Sequence, residues 1–302
     1  MSIKIYKEPK LKRPILICGW PGIGSIGITA VDYLRRSITA EEFGEIEPWD
    51  FFYPRKVTIR DGLLKALEFP TNKLYYQRLA NRDLIIFIGK EQPADGMTIY
   101  AAGEKAYTMA NLVLDVAEKF GCQRVYTSGA AVALTHHALR PRVWAVTSRE
   151  GLTKEVKSYE NTILMGEIEG RGDRGSITGL NGLLLGVAKK RGFEAVCLMG
   201  EIPDYLSRAP FPYPRASKSV LQVLTKRLGV EIDYGALDEM AVQIDDIIDG
   251  IYEKFPLEIR ERIDQRRSFA QAETITEEDE KWIKEHIDEL FKKGGGGNER
   301  AV

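Results

Sequence analysis

Residues 14–27 read PILICGWPGIGSIG, and ITAVDYLRR follows directly at 28–36. The apolar run at 15–18 has the character of a strand covered on both faces, and the residues after Gly27 carry apolar positions at helical spacing. Between them Gly22, Gly24 and Gly27 spell GxGxxG, the spacing of a dinucleotide-binding turn. Strand, glycine turn and helix in that order open an α/β unit.

A dinucleotide site also needs an acidic residue at the end of the next parallel strand. Glu45 and Glu47 lie at a suitable distance, but Pro21 precedes Gly22 and residues 45–53 do not read as a buried parallel strand. A phosphate loop needs lysine before serine or threonine at its end, and no lysine occurs between Lys12 and Lys56. NAD is therefore disfavoured, and ATP held in that manner is excluded. Two uses of the turn stay open: close packing of helix on sheet, or an anion held by free N–H groups at the helix start.

Farther along, DLIIFIG (83–89), RVYTSGA (124–130) and EAVCLMG (194–200) repeat the pattern of a short apolar run beside a glycine. Helical patterns at 98–121 and 179–192 lie between them, each ending in a glycine suited to a C-cap. The alternation predicts an α/β fold whose parallel strands are covered on both faces. Residues 43–80 read as short β pieces with a hairpin turn at Asp61-Gly62, and RVWAVTS (142–148) as a further strand. After about residue 215 only helical patterns remain. The expected division is an α/β domain at 1–234, a C-terminal helical extension at 235–293 and a flexible tail at 294–302.

In the last helical pattern Ile283, Ile287, Leu290 and Phe291 form one apolar stripe, with Thr276 and Asp279 in capping-box position. This stripe is assigned to an interface, with another copy of the chain or another protein as partner.

Lys plus Arg number 43 against 44 for Asp plus Glu, so a net charge of -1 offers no field for nucleic acid or an anionic membrane. No apolar run approaches the ~18 residues of a membrane span. Cys18, Cys122 and Cys197 are scattered, without a CxxC pair, as reduced thiols in a cytoplasmic protein would be.

A second glycine-rich segment, GEIEGRGDRGSITGLNG (166–182), leads into a helix and carries Arg171, Asp173, Arg174, Ser176 and Asn181. If both loops lie at one edge of the sheet, they frame one pocket at the strands' carboxyl ends. The candidate ligand-binding residues are Gly22, Gly24, Ser25, Arg171 and Glu201. Glu91 and Glu201 each follow a strand, where paired acids can do acid/base work, but no nucleophile or metal ligand accompanies them. His136 and His137 are adjacent and point different ways, which argues against a shared metal. Ser128 is not in a GxSxG elbow. No catalytic residue, metal or cofactor is assigned.

PILICGWPGIGSIG, the block GSITGLNGLLLGVAKKRGFEAVCLMGEIPDY and the following YPRASKSVLQVLTKRLGVEID together resemble the proteasome assembly chaperone 2 family over residues 14–245. The segment from Gly175 to Asp233 is the most specific part. The resemblance implies an α/β three-layer sandwich with a mixed, largely parallel sheet similar to the nucleoside phosphorylase and hydrolase architecture, homo-oligomers, and binding of proteasome subunits or another protein without catalysis. It also implies docking through a C-terminal hydrophobic-Tyr-x tripeptide. This chain departs from that pattern, with Arg300, Ala301 and Val302 at its end. The alternative reading is an enzyme or sensor that binds a small anionic or nucleoside-like ligand between the two glycine loops.

Overall fold

The computed structural model describes residues 3–95, 102–167, 175–267, 281–283 and 285–286. The strands are β1 (Ile3–Ile5), β2 (Ile15–Gly19), β3 (Glu41–Ile46), β4 (Lys56–Arg60), β5 (Leu63–Glu68), β6 (Asn72–Gln77), β7 (Leu84–Gly89), β8 (Arg124–Ala133), β9 (Val143–Thr147), β10 (Thr162–Leu164) and β11 (Glu194–Pro203). The helices are α1 (Ile26–Ser37), α2 (Gly103–Lys119), α3 (Glu150–Lys157), α4 (Gly179–Lys190), α5 (Pro214–Leu228), α6 (Gly235–Tyr252) and α7 (Leu257–Asp264).

Nine strands form one sheet in the order β1-β3-β6-β7-β2-β8-β11-β9-β10. The central four, β7, β2, β8 and β11, run parallel, with Ile15 opposite both Leu84 and Arg124, and Glu194 opposite Arg124. They are the four strands read from the apolar runs, and they are buried on both faces because helices cover each side. α1 and α5 pack together on one face, and α2 packs with α4 on the other. Two apolar clusters result, one including Ile17, Leu34, Val220 and Ile248, the other Leu16, Phe87, Val113 and Leu184. The three-layer expectation is met.

α1 buries Ile26, Ala30, Val31 and Leu34 along one stripe, and each large side chain contributes roughly 1.5–3 kcal/mol by leaving water. The helix lies so close to β8 that a Cβ on Gly27 would stand 2.1 Å from the Ser128 carbonyl oxygen. Gly24, with φ of 56°, turns the chain against Ile202 and Tyr213. Packing therefore accounts for two of the three glycines in the opening motif.

β8 and β11 continue past the predicted 130 and 200, to Ala133 and Pro203, as neighbours in one parallel register. Residues 43–80 supply antiparallel strands, as expected. β4 and β5 form a separate two-stranded hairpin. Asp61 and Gly62 both have positive φ, 53° and 73°, the backbone a tight two-residue hairpin requires.

α6 and α7 join the α1/α5 cluster through Leu237, Ile244, Ile248, Ile251, Ile259 and Ile263. No helix of the described residues is long and apolar enough to cross a membrane. The capping pair at 276 and 279 and the tail at 294–302 lie outside the described residues.

Candidate functional site

From β2 the chain moves to β3 on one side of the sheet, and from β8 it moves to β9 and β11 on the other. Where neighbouring parallel strands send their connections in opposite directions, a crevice opens at their carboxyl ends. A cavity of about 220 Å³ occupies that place. Gly22, Ile23 and Gly27 of the first glycine loop line it, together with Ser176, Ile177, Thr178 and Asn181 of the second. The two loops do share one pocket.

Gln92, at the end of β7, ties them together. Its side-chain amide donates to the Pro21 carbonyl at 2.5 Å and accepts the Leu180 backbone N–H at 2.9 Å. Sequence reasoning assigned Gln92 no role, although FIGKEQP at 87–93 and LMGEIPDY at 198–205 resemble each other as strand ends.

The rest of the wall is Trp20, the second half of β8 from Gly129 to Val132, Trp144, Met165 and Met199. Asn181 is buried, and its Oδ1 has no hydrogen-bond partner. Its Nδ2 lies close over Gly129, 2.8 Å from where a Cβ there would stand.

Of the residues assigned from sequence to a ligand, Gly22 lines the cavity. Gly24 is buried under Tyr213, and Ser25 sits at the N-cap of α1 in a left-handed conformation, bonded through its N–H to Gly22. Arg171 lies outside the described residues. Glu201 is one of the wall's supports and does not line the cavity. Its carboxylate, 1% exposed, accepts Trp144 Nε1 at 2.6 Å, Arg142 Nε at 2.9 Å and the Arg142 backbone N–H at 2.9 Å. It thereby holds the Trp144 ring against the pocket. Glu91 pairs with Arg55, so the two strand-end acids have separate partners.

Ile283 is buried among this chain's own α6 and α7 residues. At that position the apolar stripe packs on its own protomer. Ile287, Leu290 and Phe291 lie outside the described residues.

The His136 and His137 rings lie with centroids 4.1 Å apart, tilted by 31° to each other. Tyr205 accepts the His137 backbone N–H at 3.0 Å and donates to its Nδ1 at 2.7 Å, which leaves Nε2–H facing Asp249 at 3.2 Å. His136 accepts the Ala138 N–H at Nδ1, and its Nε2 faces Asp264 at 3.3 Å. Burial holds His136 down to about 4, so both rings serve as neutral struts between the loop after β8 and the α6/α7 layer. No cluster of three or more metal-ligating side chains occurs among the described residues. The three cysteines are buried, and burial pushes Cys122 up to about 12 and Cys197 to about 11. They are poor nucleophiles.

A larger groove, about 730 Å³, lies between the segment 158–161 and α5. Two of its cations pair within the chain, Lys226 2.8 Å from Glu160 and Arg227 2.7 Å from Glu155. Another exposed feature is the β4–β5 hairpin, which leaves Val57, Ile59, Leu63, Leu64 and Leu67 in water.

These features define a doubly covered mixed-sheet protein with a small crevice at the strand switch point and an apolar hairpin outside the sheet. The chain belongs to the PAC2 family, whose model matches residues 16–251. An uncharacterized protein of Methanocaldococcus jannaschii is 30% identical over 280 residues, spanning 93% of this chain and 96% of the relative. The crystal structure of Pyrococcus furiosus PbaB, an archaeal proteasome activator, is similar with a TM-score of 0.68 and 31% identity, covering 83% of this chain and 98% of that one. A Mycobacterium tuberculosis proteasome-assembly chaperone homologue shares the fold at a TM-score of 0.64 and 20% identity, covering 84% of this chain and all of its own.

Proposed function

We propose that this chain is a cytoplasmic, protein-binding homo-oligomer of the proteasome-assembly-chaperone type, acting on proteasome particles by contact and not by turnover. The observation that carries the reading is the β4–β5 hairpin. A lone two-stranded hairpin is marginal in water, yet this one exposes Ile59 at 67%, Leu64 at 66% and Leu63 at 61%. Covering each such side chain is worth roughly 1.5–3 kcal/mol, and an exposed apolar patch of this kind marks a contact surface.

The occupant is a second copy of this chain. Lys56 and Glu68 pair within the hairpin, which leaves the apolar side chains of β4 and β5 to meet the same patch on a second copy, as a two-fold contact requires. The likeness to the Pyrococcus activator supports the proteasome as the assembly's target.

The test is light scattering on the wild type and on the Ile59→Asp, Leu64→Asp double variant, with cosedimentation on archaeal proteasome core particles. The reading expects a wild-type oligomer that cosediments, and a smaller variant with the same melting temperature. A monomeric wild type, or a variant of unchanged mass, overturns the oligomer through the hairpin. Absence of cosedimentation overturns the proteasome role.

A further inference from the structure

We propose that the cavity between the two glycine loops binds a neutral, planar heteroaromatic molecule of nucleobase size, with the Asn181 amide reading its edge. The inference is independent of the protein-binding reading, because the cavity lies at the sheet's switch point and the hairpin stands outside that sheet.

Asn181 supplies the polar contact. Its side chain is nine-tenths buried, lines the cavity and leaves Oδ1 without a partner. An orphaned acceptor of this kind costs about 1–3 kcal/mol, and a ligand N–H in the cavity would remove that cost. The amide is also held in place, with Nδ2 close over Gly129 and the start of α4 tied to Pro21 through Gln92.

The walls favour a flat ring. Trp20 and Trp144 contribute indoles, and Met165 and Met199 contribute polarizable thioethers, groups that pack well on aromatic faces and edges. The Trp144 N–H is already donated to Glu201, so that side chain meets a ligand with its apolar surface. The Gln92 amide is similarly engaged with Pro21 and Leu180. Among the described residues the lining carries no charged side chain. A phosphate or carboxylate would find no side-chain counter-charge there, only backbone N–H groups at the starts of α1 and α4.

Size narrows the class further. About 220 Å³ exceeds the ~150 Å³ engineered cavity that admits benzene and falls short of the ~300–1,000 Å³ pockets of drug-sized ligands. One bicyclic base fits; a dinucleotide does not. The pocket reading of the glycine motif is thereby moved from an anion to a neutral ring.

The experiment is a thermal-shift and calorimetric screen of the full chain with adenine, guanine, hypoxanthine and uracil, with inorganic phosphate and AMP as charged controls. It is run on the wild type and on Asn181→Leu, which keeps the shape and removes the orphaned acceptor. The expected result is that at least one base binds the wild type, and that Asn181→Leu weakens it roughly tenfold or more, the effect of one buried hydrogen bond. Unliganded Asn181→Leu should melt no lower than the wild type, which keeps folding separate from binding. Binding of phosphate or AMP without any base, equal binding of a base to both proteins, or no binding by any base overturns the proposal.

Discussion

The β4–β5 hairpin and the junction between β8 and the C-terminal helices break opposite rules. The hairpin places Ile59, Leu63 and Leu64 in water. The junction buries His136, His137 and the Arg266 side chain, which is paired with Asp204. An exposed apolar strand pair gains by being covered, whereas a buried charge is tolerated only while its partner stays in place. Damage at the junction should therefore appear as lost stability, and damage at the hairpin as lost association.

The sharpest way to break this contrast is Asp204→Ala. It strands the Arg266 guanidinium, whose Nε and Nη2 already lack partners, and should cost about 3–5 kcal/mol in denaturant unfolding. A loss under 1 kcal/mol would mean the junction is as forgiving as the surface. Glu201→Ala tests the same rule beneath the cavity. It removes the carboxylate that accepts from Trp144 Nε1, Arg142 Nε and the Arg142 backbone N–H, and a loss of about 2–4 kcal/mol is expected.

Acid provides a milder probe. Burial lowers His136 from its ordinary 6.5 to about 4, with His137 and Arg267 adding to the effect and Asp264 opposing it. Burial also lowers His137, against the pull of Asp249 and Asp245. The unfolded chain thus takes up these protons first, so stability present above pH 6.5 is lost as pH falls toward 4. His136→Asn, which retains an acceptor for the Ala138 amide, should flatten that slope in melting curves taken across the window. At the small end, Ile59→Asp should change monomer unfolding by under ~0.5 kcal/mol while lowering particle mass. A large drop in melting temperature would place the hairpin within the stabilising core.

Much of the fold was legible because its signals are local. The four parallel strands are short apolar runs beside glycines, α1 and α4 have helical periodicity with clear ends, and Asp61-Gly62 marks its own turn. The site was legible in outline only. The sequence placed two glycine loops as candidates for one edge, but did not show that Gln92 joins them across 88 residues. Glu201 resembled a ligand residue because it ends a strand; its donors lie 57 to 59 residues earlier in the chain. Ile283 belongs to an amphipathic stripe, and a stripe alone does not distinguish a chain's own core from a partner's surface.

The order of strands and helices and the covered parallel sheet were thus set by patterns a few residues long, since periodicity and turn chemistry act between neighbours in the chain. The three-dimensional structure alone decided what the opening motif is for. Gly27 serves the approach of α1 to Ser128, Gly24 the turn beneath Tyr213, and Gly22 the rim of a cavity whose polar reader, Asn181, comes from a distant loop. Those assignments depend on contacts between segments far apart in sequence, and such contacts exist only once the sheet has brought its strand ends together.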